Sequence, residues 1–562
     1  MTSESARQSF LLNIRNHTAV QQGILLIIAF LLFLPFSGKP FHIDSCVTVY
    51  VAKQLLKNPV NPPSGHFGAL LSTWNATGLP AGSAFHATPH PPLISLYTAG
   101  IIRLFGCTER ALNWSFFPFY AGCILLFFAI SRYLGIRNRF TGTLLFAVSP
   151  AVLVNAQNVM YDVPLTMFCI GGLYWMFRCQ TATDALLAGV FVGCACLVKF
   201  TAGTMIIAGV FHFMMKKQWR YLLVFVLIAG VLNALWLVHN LIVFHAWQLT
   251  RNGHSHYLFG DIRYRFERMV SYIGGSAVFP VFPIVLWWRS ESFRGSGALL
   301  CLATFVWSAL LVAILKYSIP AAFFFWCCSF AGSLLIVQFF GTVISGQWPH
   351  TTPLRTNQTV PDLRGNYRTL ALHTLLQMLG GGFLTLYAVR YTLPFIFSFL
   401  VFMLYRIESV VPKRYRQCFI GSVFTTSLLL SILLSVSDFQ IVAAEQCIAR
   451  DCTSRYPAAN IFYAGRLGYL YYMDKAGAIS GTDTSVTPDS GGIVVENCFY
   501  RDDAQFVAHY RKRLFEIDSC SYPIWPLRTI GGRAGFYGND RLPYAFDFSA
   551  PQRTFRLYRF TE

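Results

Sequence analysis

Charge is scarce in this chain. Only 12% of its residues are Asp, Glu, Lys or Arg, against about 25% in an ordinary soluble domain, and 55% are hydrophobic. That balance excludes a soluble globular protein and fits one whose surface faces lipid. Acid is scarcer still: 24 acidic residues stand against 44 lysines and arginines, a net charge of +20. In a soluble protein such an excess would suggest nucleic acid, yet no RNA- or DNA-binding motif is present. Basic loops beside anionic lipid, or a phosphate-bearing substrate, account for it instead.

Metal-binding cysteine motifs are also lacking. Cys194 and Cys196 lie two apart in an apolar run, which is no ligand spacing. Cys123, Cys169, Cys301, Cys327 and Cys328 likewise sit in apolar runs, where cysteine is a small core residue. Cys447, Cys452, Cys498 and Cys520 fall in the polar C-terminal part; outside the cytosol, one or two disulfides could form among them. No small-residue cleavage site follows the first apolar run, which therefore reads as an uncleaved anchor. No internal repeat is visible, which argues against inverted-repeat transporter folds.

What the chain has in abundance is long apolar runs. About thirteen approach the length of a transmembrane helix, centred near residues 29, 122, 148, 171, 190, 207, 233, 280, 306, 332, 381, 399 and 427. Arg7 and Arg15 put the N-terminus in the cytoplasm by the positive-inside rule. Threading the chain then makes the basic loops Arg132–Arg139, Lys216–Arg220, Arg289–Arg294, 344–370 and Arg406–Arg416 cytoplasmic. The outer loop 245–271 breaks the rule with Arg251, Arg263, Arg265 and Arg268: either a span is miscounted or the arginines stand outside for a reason, and a phosphate ligand is the preferred one. From about 437 onward the chain lies outside and changes character. Asp489-Ser490-Gly491-Gly492 is a turn signal, and Ile493-Val494-Val495 and Thr554–Tyr558 are strand-like. The expected architecture is a polytopic α-helical membrane region over 1–436, with a first extracytoplasmic loop at 38–106, and a mixed α/β extracytoplasmic domain over 437–562.

Under this threading the ionisable residues at span ends collect on the outer side. Asp44 follows the first span and opens a long loop that closes on His90-Pro91-Pro92-Leu93. Asp162 starts the fourth span, Lys199 ends the fifth, and Arg390-Tyr391 sits between the eleventh and twelfth. A charge near the membrane core costs about 2.5–3.5 kcal/mol on insertion scales, so such residues are usually paired or functional. Two acids and two bases on one face make an anion site beside a carboxylate. Each residue also has a plainer role. Asp44 would solvate a loop, Asp162 would cap a helix ahead of Pro164, Lys199 would snorkel, and Arg390-Tyr391 would anchor an interface. His90 would set a rigid turn before an interfacial helix at Leu93–Phe105, and His254 and His256 would simply be solvated.

These residues resemble the C-type (GT-C) integral membrane glycosyltransferases, in the group of protein O-mannosyltransferases and lipid A aminoarabinose transferases. The matching pieces are Asp44, His90-Pro91-Pro92-Leu93, Arg103-Leu104-Phe105-Gly106, Met160–Leu165, Leu197–Thr201 and Arg390–Pro394, with Tyr463–Met473 beyond them. Ser45 stands where this group often has a second acid, and Trp287-Trp288-Arg289 is no Trp-Trp-Asp signature, which speaks against whole-glycan transfer to asparagine.

The resemblance implies a donor of one sugar on a polyprenyl phosphate and inversion at the anomeric carbon. The acceptor would be a glycolipid, a cell-envelope glycan or a protein, and the setting a bacterial inner membrane. Asp44 and Asp162 would then be the catalytic pair, and Lys199, Arg390 and Tyr391 the donor-phosphate site. His90, Arg251 and Arg263 would add substrate contacts, and a divalent metal, where one takes part, would lie on Asp44 and Asp162. Phe67, Trp74 and Phe85 would pack on sugar. A transporter or flippase for an anionic or lipid-linked solute is the alternative. It predicts charge at the midplane of several spans. A non-catalytic scaffold would leave both aspartates unexplained.

Overall fold

The computed structural model describes residues 18–64, 82–88, 90–246, 262–289, 294–315, 318–346, 362–382, 388–465, 467–480, 489–498, 501–531, 533–538, 540–548 and 552–561. Helices dominate up to Arg455, and strands follow. Among the described residues, six helices are long and apolar enough to cross a membrane: Thr18–Phe36, Glu109–Tyr133, Trp219–Phe244, Ile319–Ser345, Val389–Val410 and Lys413–Arg455. Two bent pairs raise the number to eight if each is one span. Arg139–Ala147 meets Pro150–Ala156 at 59°, and Tyr264–Ser276 meets Val281–Trp288 at 85°.

The thirteen apolar centres expected from the sequence do fall on or beside helices, but several of those helices are short. Ala182–Val198 and Phe200–Met215 each stop before spanning length. Local chemistry explains such breaks. Thr181 and Asp184 form a reciprocal capping box, with Asp184 N donating to Thr181 Oγ1 at 3.2 Å, and so start a new helix after Arg178. Pro150 opens a helix because its missing N–H is not needed there. Gly106, at φ +79, closes Leu93–Phe105 on the expected boundary.

The stretch after Asp44 is not a loop at its start. Asp44–Lys57 is a helix, with Cys46, Val49, Tyr50 and Leu55 buried. At 14 residues it is too short to register as a span, and periodicity alone did not mark it.

Lys413–Arg455 is one 43-residue helix, roughly 65 Å long at 1.5 Å per residue. Beyond it lies a five-stranded sheet in the order β2-β1-β3-β9-β4, built from β1 (Ile461–Tyr463), β2 (Ile479–Ser480), β3 (Ile493–Asn497), β4 (Leu514–Pro523) and β9 (Gln552–Phe560). β1 runs parallel to β2 and β3. The helix Leu467–Lys475 makes the crossover that parallel strands require. β9 is antiparallel to β3, with Val494 opposite Tyr558 and Val495 opposite Leu557. Two ribbons fill the loop between β4 and β9: β5 (Leu527–Arg528) with β8 (Ala545–Phe546), and β6 (Ile530–Gly531) with β7 (Ala534–Gly535). One buried apolar cluster runs from Leu25 through the helices to Phe555 and Leu557, so sheet and bundle share a core. None of the fifteen cysteines is in a disulfide, so the one or two considered for the C-terminal part are not formed.

Candidate functional site

Four backbone junctions supply the site. Asp44 is the first residue of its helix, and Asp162 the first residue of Asp162–Arg178. Lys199 is the extended residue between Ala182–Val198 and a short 3-10 turn. Arg390 and Tyr391 belong to the turn Val389–Thr392 that leads into Leu393–Val410. Pro394 fits there because it stands in the first turn, where no N–H is required.

The fold brings these residues together as two ion pairs. Arg390 Nη1 lies 2.7 Å from Asp44 Oδ2. Lys199 Nζ donates to Asp162 Oδ1 at 2.5 Å. Tyr391 joins the pairs: the Lys199 ammonium lies 4.4 Å from its ring centre and the Arg390 guanidinium 5.1 Å from it. Arg390 Nη2 also donates to Tyr391 Oη at 3.3 Å. The Asp44 side chain is 22% exposed, whereas those of Asp162, Lys199 and Arg390 are buried. A cleft lined by Asp162, Lys199, Thr201, Gln377 and Tyr391 opens beside the second pair.

Two of the plainer roles do not hold. Asp162 makes no side-chain cap to its own helix, because its carboxylate is turned to Lys199. Lys199 does not snorkel, since it is held inside by that carboxylate.

His90 is drawn in as well, its ring centre 4.3 Å from that of Tyr161, the neighbour of Asp162. Arg251, His254, His256, Phe67 and Trp74 lie outside the described residues, as does the side chain of Arg263. Phe85 is not presented to a sugar. It is buried edge-on against Trp236, at 5.1 Å between ring centres. Arg265 and Arg268 are buried on the helix Ile262–Ser276 and not displayed in a loop. The Arg268 guanidinium stacks 4.1 Å from the Tyr264 ring, and Arg541 from the C-terminal part adds an ion pair to Glu267 at 3.3 Å. Both arginines are thus held inside the fold, and the C-terminal part reaches their helix through Glu267.

A second ionic group escaped the sequence reading. Asp438, in the middle of Lys413–Arg455, is wholly buried with Lys39, and the two form a direct ion pair. His42 Nδ1 lies 3.3 Å from Asp438 Oδ1, without the alignment of a hydrogen bond. Thr529 Oγ1 and Tyr537 Oη donate to the same carboxylate at 2.8 and 2.9 Å. Burial pushes the Lys39 ammonium below the usual lysine range, and the Asp438 carboxylate opposes that. Burial, and then the same carboxylate, hold the Tyr537 hydroxyl well above the usual range, so it stays a donor. The available signal was a lone acid in the apolar run before Phe439. Among the described residues, no cluster of three or more His, Cys, Asp or Glu suits a metal ion.

Residues 89–244 match the family described as Dolichyl-phosphate-mannose-protein mannosyltransferase. No curated sequence is significantly similar to the chain. Among solved structures, ArnT from Cupriavidus metallidurans bound to undecaprenyl phosphate is 13% identical, over 95% of this chain and 97% of that one, with a TM-score of 0.41. The Archaeoglobus fulgidus oligosaccharyltransferase is 12% identical over 81% and 62%, with a TM-score of 0.46. The S. cerevisiae protein O-mannosyltransferase Pmt1-Pmt2 complex bound to the sugar donor is 16% identical over 45% and 38%, with a TM-score of 0.30. At TM-scores under 0.5 these overlaps add nothing to the functional reading. The family match does, because its segment holds His90, Asp162 and Lys199. On that match, the chain is a membrane glycosyltransferase that is similar, over residues 89–244, to this mannosyltransferase family.

Proposed function

We propose that the chain moves a single sugar from a polyprenyl-phosphate donor to a hydroxyl or phosphate acceptor on the extracytoplasmic face, with inversion. The observation that carries this reading is the double ion pair, Asp44–Arg390 and Asp162–Lys199, around the Tyr391 ring. The description of the matched family names a dolichyl-phosphate sugar, which supports a lipid-linked phosphate as donor.

In the reaction the bond from the anomeric carbon to the phosphate oxygen breaks, and its electron pair stays on the phosphate. Lys199 and Arg390 stabilise that growing charge most in the transition state, where it lowers the barrier. Arginine offers a planar fork to phosphate oxygens and lysine a point charge. The arriving phosphate competes with the two carboxylates for these cations and loosens both pairs. Asp44, the partly exposed acid, then takes the proton of the acceptor hydroxyl as its oxygen attacks the opposite face of the sugar. General-base help of this kind is worth roughly 10²–10⁴-fold. Asp162 orients Lys199 and the acceptor, and His90, Arg251 and Arg263 add substrate contacts. Where a divalent metal takes part, Asp44 and Asp162 would hold it.

The proposed topology has the N-terminus in the cytoplasm, about thirteen crossings and residues 437–562 outside, in a bacterial inner membrane. The acceptor is a glycolipid, an envelope glycan or a protein. The test is transfer of labelled sugar from a polyprenyl-phosphate donor by membranes carrying the wild type or Asp44→Asn at equal protein level. Transfer by the wild type that disappears in the variant supports the reading. Transfer at the wild-type rate by Asp44→Asn removes Asp44 as the base.

A further inference from the structure

We propose that the buried group around Asp438 is a positioning device for both carboxylates of the site, which makes Thr529 and Tyr537 working parts of the enzyme; this rests on the function proposed above. The group closes on itself. Lys39 pairs with Asp438 and donates to Asn158 Oδ1 at 2.7 Å. Asn158 Nδ2 donates to Tyr537 Oη at 2.8 Å, and Tyr537 Oη returns to Asp438 Oδ2 at 2.9 Å.

Each anchor is a short step from a site carboxylate. Lys39 and His42 belong to the segment that runs into Asp44, and Asn158 to the turn that runs into Asp162. The ring therefore holds both backbone entries, while Arg390 and Lys199 hold the carboxylates themselves.

The backbone at Ile43 supports this. Its φ is +45° and its ψ −118°, a conformation that a β-branched residue adopts only when its surroundings impose it. His42, on one side, is set against Asp438 and lies 4.8 Å from the Tyr537 ring centre. Asp44, on the other, is set against Arg390. The sharp turn lets a helix begin at Asp44, with Ser45 N donating to His42 O at 2.9 Å. A buried ion pair is weak evidence for stability, since apolar residues of the same shape often hold a fold as well. What a fully bonded polar ring adds is one defined geometry. A displacement of about 1 Å at a reacting group can cost 10²-fold in rate.

The test uses full-length protein in lipid. Asp438→Asn alone leaves the Lys39 charge buried and can unfold the chain, so the main variant is Lys39→Met with Asp438→Leu, which removes both charges. Tyr537→Phe is the mild second variant. The expected result for the double variant is a near-native melting temperature, donor KM within about twofold and kcat reduced roughly 10- to 100-fold. Tyr537→Phe should show a smaller loss in kcat with the same split. Amide hydrogen exchange read without substrate should rise at 42–48 and 158–165 in the double variant. Unchanged kcat, unchanged exchange, or loss of kcat only alongside a lower melting temperature in both variants would overturn the inference. Faster exchange in variants of a wild type that transfers from no polyprenyl-phosphate sugar would instead overturn the proposed function and leave the positioning ring standing.

Discussion

Arg390 and Asp44 meet at 2.7 Å, although one stands in the turn before Leu393–Val410 and the other opens the helix Asp44–Lys57. The guanidinium is buried and the carboxylate partly open, so the pair has a dry side and a wet side. A phosphate entering from lipid and a hydroxyl entering from water would meet there.

Arg390→Lys keeps the charge and loses the fork. Transfer should fall by about 1.5–3 kcal/mol in kcat/KM, roughly 10- to 150-fold, the worth of a hydrogen bond to a charged group. Initial rates against donor concentration read this directly, and a loss below about twofold would remove Arg390 from the donor site.

Lys199→Met leaves the Asp162 carboxylate buried and unpaired, a change that typically destabilises by about 3–5 kcal/mol. Adding Asp162→Asn should restore the melting temperature without restoring transfer. Recovery of both would make the pair purely structural.

Tyr391→Phe retains the ring under both cations and loses only the hydroxyl that accepts from Arg390 at 3.3 Å. The expected loss is about 0.5–1 kcal/mol, a few-fold in kcat/KM. Tyr391→Leu removes both ring contacts and should lose clearly more, so equal losses in the two variants would discard the cation–ring role.

Gly274 and Gly332 let the helices Ile262–Ser276 and Ile319–Ser345 touch backbone to backbone. A methyl at Gly332 would collide with the Val270 carbonyl, and one at Gly274 with the Cys328 carbonyl. Gly332→Ala should destabilise by about 1–3 kcal/mol, seen as a lower melting temperature. Gly230→Ala, where the added methyl meets nothing within 4 Å, is the matched control and should not lower it.

Cys418 and Cys498 are both exposed and outside any disulfide. The proposed topology puts Cys498 outside and Cys418 beside the cytoplasmic end of its helix. With the other thirteen cysteines replaced, a membrane-impermeant maleimide should label Cys498 in intact cells and Cys418 only after permeabilisation. The reverse pattern would invert the threading.

Much of the local structure was legible because it depends on neighbours in sequence. Leu93–Phe105 is bounded by Pro92 and Gly106, and the apolar runs at Ile493–Val495 and Thr554–Tyr558 form strands. Charges at the ends of apolar runs singled out Asp44, Asp162, Lys199 and Arg390, because an ion beside lipid needs a partner. Local pattern did not mark where helices break: capping at Thr181 and the bends after Ala147 and Ser276 divide continuous apolar sequence into shorter helices.

Only the tertiary structure decided who pairs with whom. Nothing local to Asp44 selects Arg390, or to Asp162 selects Lys199; helix packing brings them within bonding distance. Lys39 reads as a loop lysine after the first span and Asp438 as an oddity in an apolar helix, until burial of both leaves each as the other's counter-charge. The apolar pattern and the breaks between helices belong to the sequence because they arise from residues a few positions apart. The ion pairs belong to the fold because a buried charge takes its partner from whatever the packed chain places beside it.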